Sequence, residues 1–123
     1  MQTIGSTGLP ELGQQSVHRM LIIPKGHVFN FTATSGADIF GVALEPTAGA
    51  AIFRIDATVN QAGKITVVYM EGTGTMLARM NSDTNLTASA FYSQEFMVYS
   101  GQSINIRFDQ SAVIANLTVV EKW

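Results

Sequence analysis

From about residue 17 onward, short apolar runs alternate with polar residues at period two, and each run is cut off by a cluster of Gly, Pro, Asn or Ser. Period two belongs to strands with one face in a core, because successive side chains point to opposite sides of a pleated sheet. The alternation is clearest where Phe53, Ile55, Ala57 and Val59 interleave with Ile52, Arg54, Asp56 and Thr58, and where Ile104, Ile106 and Phe108 interleave with Asn105 and Arg107. No window of ordinary helical length carries a helical period, so the expectation is an all-β chain. Strands are expected over 17–23, 28–34, 39–45, 51–59, 64–70, 76–80, 90–99, 103–108 and 113–122. The breaks between them include Pro24-Lys25-Gly26, Gly72-Thr73-Gly74 and Ser100-Gly101-Gln102, residue types that turns demand. About eight or nine antiparallel strands at this spacing fold as a β-sandwich or jelly roll.

Residues 1–16 differ from the rest. Gly5, Gly8, Pro10 and Gly13 break any regular period, and Met1, Ile4, Leu9 and Leu12 are the only apolar anchors. The reading is an extended N-terminal arm on a single sandwich domain, 17–123, with those four side chains as candidate contacts to a neighbouring subunit. Trp123, alone at the last position, is expected to dock on the sheet edge or on another chain. The length of 123 residues suits one domain that hides roughly two-thirds of its unfolded surface without metal or disulfide. Cysteine is absent, so no disulfide framework or thiolate metal site can form. Setting Gly26 on Gly101 aligns Phe29, Asn30 and Phe31 with Ile104, Asn105 and Ile106. That alignment predicts two hairpins in equivalent positions, with the first and last strands of a jelly roll paired.

Charge narrows the partners. Seven Lys and Arg, spread singly, stand against nine Asp and Glu, whereas a phosphate-neutralising protein clusters basic residues on one face. No nucleic-acid partner is expected. A charged fraction of 13% is about half the usual ~25%, which leaves a surface that repels its neighbours little. The first residues lack the basic and apolar regions of a secretory signal, and no stretch approaches the ~18 apolar residues of a span, so the expectation is a soluble chain made in the cytosol with no membrane partner. The triplets beginning at Asn30, Asn85 and Asn116 match the glycosylation sequon, but without an export signal they read as outward polar strand or turn residues.

Reactive centres are hard to assemble from these residues. His18 and His27 are nine apart and match no helical zinc pair. Asp38, Glu45, Asp56, Glu71, Asp83, Glu95, Asp109 and Glu121 fall at strand ends or on turns, a spacing that does not single out a glycosidase pair. Asn81-Ser82-Asp83-Thr84-Asn85 has the oxygen content of a calcium loop without the EF-hand glycine and glutamate, and reads better as a loop bonding its own backbone. No serine lies in a Gly-x-Ser-x-Gly elbow and no phosphate loop is present. Tyr92 and Tyr99 could line a sugar platform, although a half-buried strand face explains them equally. No cofactor is expected. A cupin-like metal site draws on more histidines than this chain has, so an enzyme ranks below a structural or binding protein.

The arm MQTIGSTGLPELGQQ, with the strand-turn-strand runs Leu21-Ile22-Ile23-Pro24-Lys25-Gly26 and Tyr99-Ser100-Gly101-Gln102-Ser103-Ile104, resembles the small virion structural proteins of tailed bacteriophages, especially head decoration or cement proteins. The resemblance is one of style over the whole chain and carries no residue roles with it. It implies a jelly roll or sandwich in multiple copies, often trimers, on the outside of a capsid, with the major capsid protein or other virion subunits as partners. A carbohydrate- or receptor-binding module of a phage fibre or tail is the alternative.

Overall fold

The computed structural model describes residues 22–122. Seven strands make up the fold there: β1 (Ile22–Thr32), β2 (Ala51–Val59), β3 (Ile65–Glu71), β4 (Gly74–Arg79), β5 (Phe91–Val98), β6 (Ser103–Phe108) and β7 (Val113–Lys122). A 3-10 turn, Met80–Asp83, links β4 to β5. The strands form two antiparallel sheets, in the orders β1-β7-β2-β5 and β4-β3-β6. Burial in β2 alternates without a fault, and Phe53, Ile55, Ala57 and Val59 are wholly covered. They meet Ile65 and Val67 from β3, Ile104, Ile106 and Phe108 from β6, and Ile114, Leu117 and Val119 from β7 in one core between the sheets. Each large side chain fully buried this way contributes roughly 1.5–3 kcal/mol.

The winding is that of a jelly roll. Strand β1 pairs with β7, β2 with β5 and β3 with β4. Between β1 and β2 the chain runs along the free side of β6, through the bridges Asp38–Arg107 and Leu44–Ile104. The antiparallel pairs are therefore nested, first with last and inward to the β3–β4 hairpin, as in one long hairpin rolled into two layers. Pairing of the first and last strands follows the sequence expectation. The two stretches aligned through Gly26 and Gly101 are not hairpins, however. Each crosses from one sheet to the other, and the stretches pair with one another.

Three expected strands come out differently. Of the expected strand 17–23 only residues 22–23 lie among the described residues, and they share a single strand, β1, with the expected strand 28–34, because Pro24-Lys25-Gly26 is a bulge instead of a turn: Pro24 faces Val120 and Gly26 faces Val119, which leaves Lys25 as the extra residue. Proline tolerates that place because an edge strand needs no donor there. The expected strand 39–45 has no continuous ladder. The Asn105 side chain takes over part of that role, donating to the Phe40 carbonyl at 2.8 Å and accepting the Phe40 amide at 3.1 Å. Clamped this way, the Phe40 ring lies against Gly26, where a Cβ would fall 2.7 Å from Cε1. The ring closes the side of the sandwich between β1 and β6. Residues 1–16, read as the arm, lie outside the described residues.

Candidate interaction surface

The register of the four-stranded sheet fixes which side chains share its outer face. Partners directly opposite point the same way, so the face is a grid with the rows Ile22–Lys122–Ile52–Met97, Pro24–Val120–Arg54–Glu95, His27–Thr118–Asp56–Ser93 and Phe29–Asn116–Thr58–Phe91. Its centre is polar and internally bonded. Arg54 pairs with Asp56 at 3.2 Å, and the Ser93 hydroxyl donates to the other Asp56 oxygen at 2.5 Å. Lys122 pairs with Glu95, and His27 Nδ1 lies 2.7 Å from Thr118 Oγ1. The corners are apolar and open: Phe29 is 67% and Phe91 65% exposed, with Ile22 and Met97 exposed at the other end. Three strand spacings put the Phe29 and Phe91 backbones about 14 Å apart. His27 and Phe29 meet edge to face, their centroids 3.9 Å apart.

Charges elsewhere are also neutralised locally. Lys25, Arg54, Lys64, Arg79, Arg107 and Lys122, which are all the Lys and Arg residues among the described residues, each sit in an ion pair. The one fully buried carboxylate among the described residues, Glu121, accepts the Thr47 amide at 3.0 Å and the Thr47 hydroxyl at 2.7 Å, with the Lys25 ammonium 3.3 Å away. The bulge in β1 is what brings Lys25 there. This cluster ties the loop before β2 to both β1 and β7, so it holds the sandwich end together.

The candidate chemistry disperses. Tyr92 packs against the core and its hydroxyl accepts the Thr87 amide at 2.8 Å, a bond that draws its pKa down, while Tyr99 is exposed; the two do not make a platform. In the 81–85 loop, Asn81, Ser82 and Asp83 all have positive φ, and Asn81 Nδ2 bonds the Asn85 carbonyl. Hydrogen bonds from Arg79, at 2.6 Å, and from Lys64 hold the Asp83 carboxyl below its ordinary range. That carboxylate is thus balanced by two cations of the protein itself. Among the described residues no group of three or more His, Asp or Glu is placed to hold a metal, and none of the helical segments is long and apolar enough to cross a membrane. The hollow between 45–49 and 100–103 has about 240 Å³, less than the ~300 Å³ at which small-molecule pockets begin; wider and more open hollows, of about 520 Å³ along 40–45 and about 460 Å³ beside the β3–β4 hairpin, also lie on the surface. The sequence candidates Met1, Ile4, Leu9, Leu12 and Trp123, with His18, lie outside the described residues. The chain reaches them from Ile22 and Lys122, which are paired neighbours at one corner of the grid.

Sequence reasoning missed two structural residues. Asn105 reads as an ordinary outward polar residue, and nothing local announces its clamp on Phe40. Glu121 was detectable, because the alternation through Leu117 and Val119 puts it on the inner face. In comparisons with known proteins, no family model matches the chain, and neither a curated protein nor a solved structure matches it.

Proposed function

We propose that this chain is a non-enzymatic virion structural protein, a capsid decoration or cement protein that binds the outer surface of a phage head and stabilises it. The observation that carries the reading is the outer face of the four-stranded sheet: an open grid whose polar groups are bonded to one another and whose large apolar side chains stand at the corners. A surface of that kind offers contact area and few unmatched groups, which suits adhesion to another protein rather than turnover. Jelly rolls serve virion shells, lectins and cupins alike, so the fold by itself does not choose among them. Support comes also from the Lys and Arg side chains, each of which is ion-paired among the described residues, leaving little positive field to drive nucleic-acid binding. The carbohydrate-binding alternative loses its stated platform, since Tyr92 and Tyr99 do not share a face.

On this reading residues 1–16 extend the contact beyond the compact face. A segment that orders on binding covers much surface per residue at an entropic cost, which many copies on one lattice offset through avidity. The test is density-gradient purification of particles from a lysate that contains the protein, followed by quantitative mass spectrometry. Co-migration with the shell subunit in a fixed ratio is the expected result. A chain that stays in the soluble fraction, with none on the particles, overturns the proposal.

A further inference from the structure

The sandwich has four sheet edges, and they are not equally protected. The outer side of β6 is occupied, because Gly36 and Ile39 donate to the Phe108 and Ile106 carbonyls and Leu44 exchanges two bonds with Ile104. Strand β1 is interrupted by Pro24, by the bulge at Lys25 and by Asn30 at φ 45°. Strand β4 is short and runs from a hairpin glycine into the Arg79–Asp83 ion pair. Such devices keep an edge from pairing with another chain.

Strand β5 has none of them. Its eight residues, FYSQEFMV, contain no proline, glycine or lysine, have no positive φ, and pair with β2 without a register shift. No backbone group of β5 bonds to a loop or turn among the described residues. In an antiparallel strand alternate residues direct their N–H and C=O away from the existing neighbour, so β5 presents a straight row of donors and acceptors. Glu95, its single charge, is already balanced by Lys122.

We propose that a second copy of this chain docks on the free edge of β5, antiparallel across a two-fold axis at Gln94, and extends the four-stranded sheet to eight strands. The register follows from the side chains. Residues opposite one another must face the same side, which leaves only registers with one residue on the axis. With Gln94 there, Phe91 of each copy faces Met97 of the other, Ser93 faces Glu95, and Tyr92 faces Phe96: two apolar pairs and a polar pair that sets no like charges opposite one another. Moving the axis to Glu95 sets like charges directly opposite, which is destabilising. Moving it to Ser93 sets Phe91 against Glu95 and brings Ser89, at φ 65°, into the ladder. An edge that pairs with itself is an isologous interface and closes at two copies. The two outer faces then form one platform with a Phe29 at diagonally opposite corners, about 34 Å apart across seven strand spacings and about 20 Å apart along the strands. This inference does not depend on the virion reading, and its assembly differs from the trimer implied by the resemblance.

The test is sedimentation equilibrium of the full chain at micromolar concentration, combined with cysteine cross-linking, for which a chain without native cysteine is well suited. Twice the chain mass of 13.2 kDa is expected. Directly opposite residues have Cα atoms about 4.5–5.5 Å apart, within disulfide reach, whereas Ser93 lies roughly 8 Å from its own copy. Oxidising a mixture of Ser93→Cys chains and Glu95→Cys chains should therefore give about fivefold more covalent dimer than either variant alone. A monomer, a trimer, or a dimer whose cross-linking is no greater in the mixture overturns the proposal.

Discussion

Gly26→Ala isolates the contact that closes the β1–β6 side of the sandwich. Gly26 has no positive φ, so alanine meets no backbone strain there, and in open surroundings the exchange would stabilise the fold by roughly 0.5–1 kcal/mol. Here the new methyl falls 2.7, 2.9 and 3.2 Å from three ring carbons of Phe40. Carbon atoms prefer about 3.5–4.0 Å, so the ring has to retreat by nearly an ångström. It cannot do so freely, because the Asn105 amide holds both the Phe40 carbonyl and the Phe40 N–H. Overpacking of this kind costs about 1–3 kcal/mol. Taking the middle of that range, about 2 kcal/mol, the melting temperature should fall by roughly 8 °C for a domain of this size. Urea unfolding of Gly26→Ala, Phe40→Ala and the double variant measures it. In the Phe40→Ala background the added methyl should be neutral or stabilising, a coupling of about 1.5 kcal/mol or more. A Gly26→Ala protein as stable as the parent, or an equal loss in both backgrounds, would refute the clamp.

Three further outcomes are expected. Asn105→Leu strips the partners from Phe40 N–H, Phe40 C=O and Ile106 N–H, and should cost about 2–4 kcal/mol in urea unfolding, with faster hydrogen exchange at the Phe40 amide. Asp83→Asn should lower the urea midpoint slightly at neutral pH. The folded carboxyl titrates below its ordinary value because Arg79 and Lys64 bond it, so the parent's advantage is present above the ordinary aspartate pKa of about 3.9. It fades as pH falls through the folded value, and the two proteins should converge in acid and in high salt. Phe29→Ser, at an exposed corner of the grid, should leave the melting temperature nearly unchanged while lowering occupancy on particles, read by the ratio of the chain to the shell subunit.

Local pattern in the sequence determined most of the layers. In β2 and β6 alternation alone names the buried face, because neither strand has an extra residue to disturb the pleat, and Glu121 is placed inward by the same count. The strand number was legible only in part. Pro24-Lys25-Gly26 carries the chemistry of a turn, and the same chemistry serves a bulge; what decides is whether a partner strand, here β7, continues on both sides. The run 39–45 has strand composition, but a strand exists only where a neighbour supplies a ladder, and one amide from Asn105, 65 residues away, supplies part of it instead.

The surface lay further out of reach. Which side chains share a row of the outer grid depends on a single-residue insertion, Lys25 in β1; a second, Ala115 in β7, follows the last row, where Thr58 faces Asn116 but Val59 faces Ile114. A shift of one residue turns the following side chains to the opposite face, so no local reading brings Phe29 and Phe91 into one row. Period-two patterning states which residues leave water, since burial is decided strand by strand. Which strand ends beside which, and which edge stays unpaired among the described residues, follows from long-range pairing, and that was settled only when the chain was rolled up.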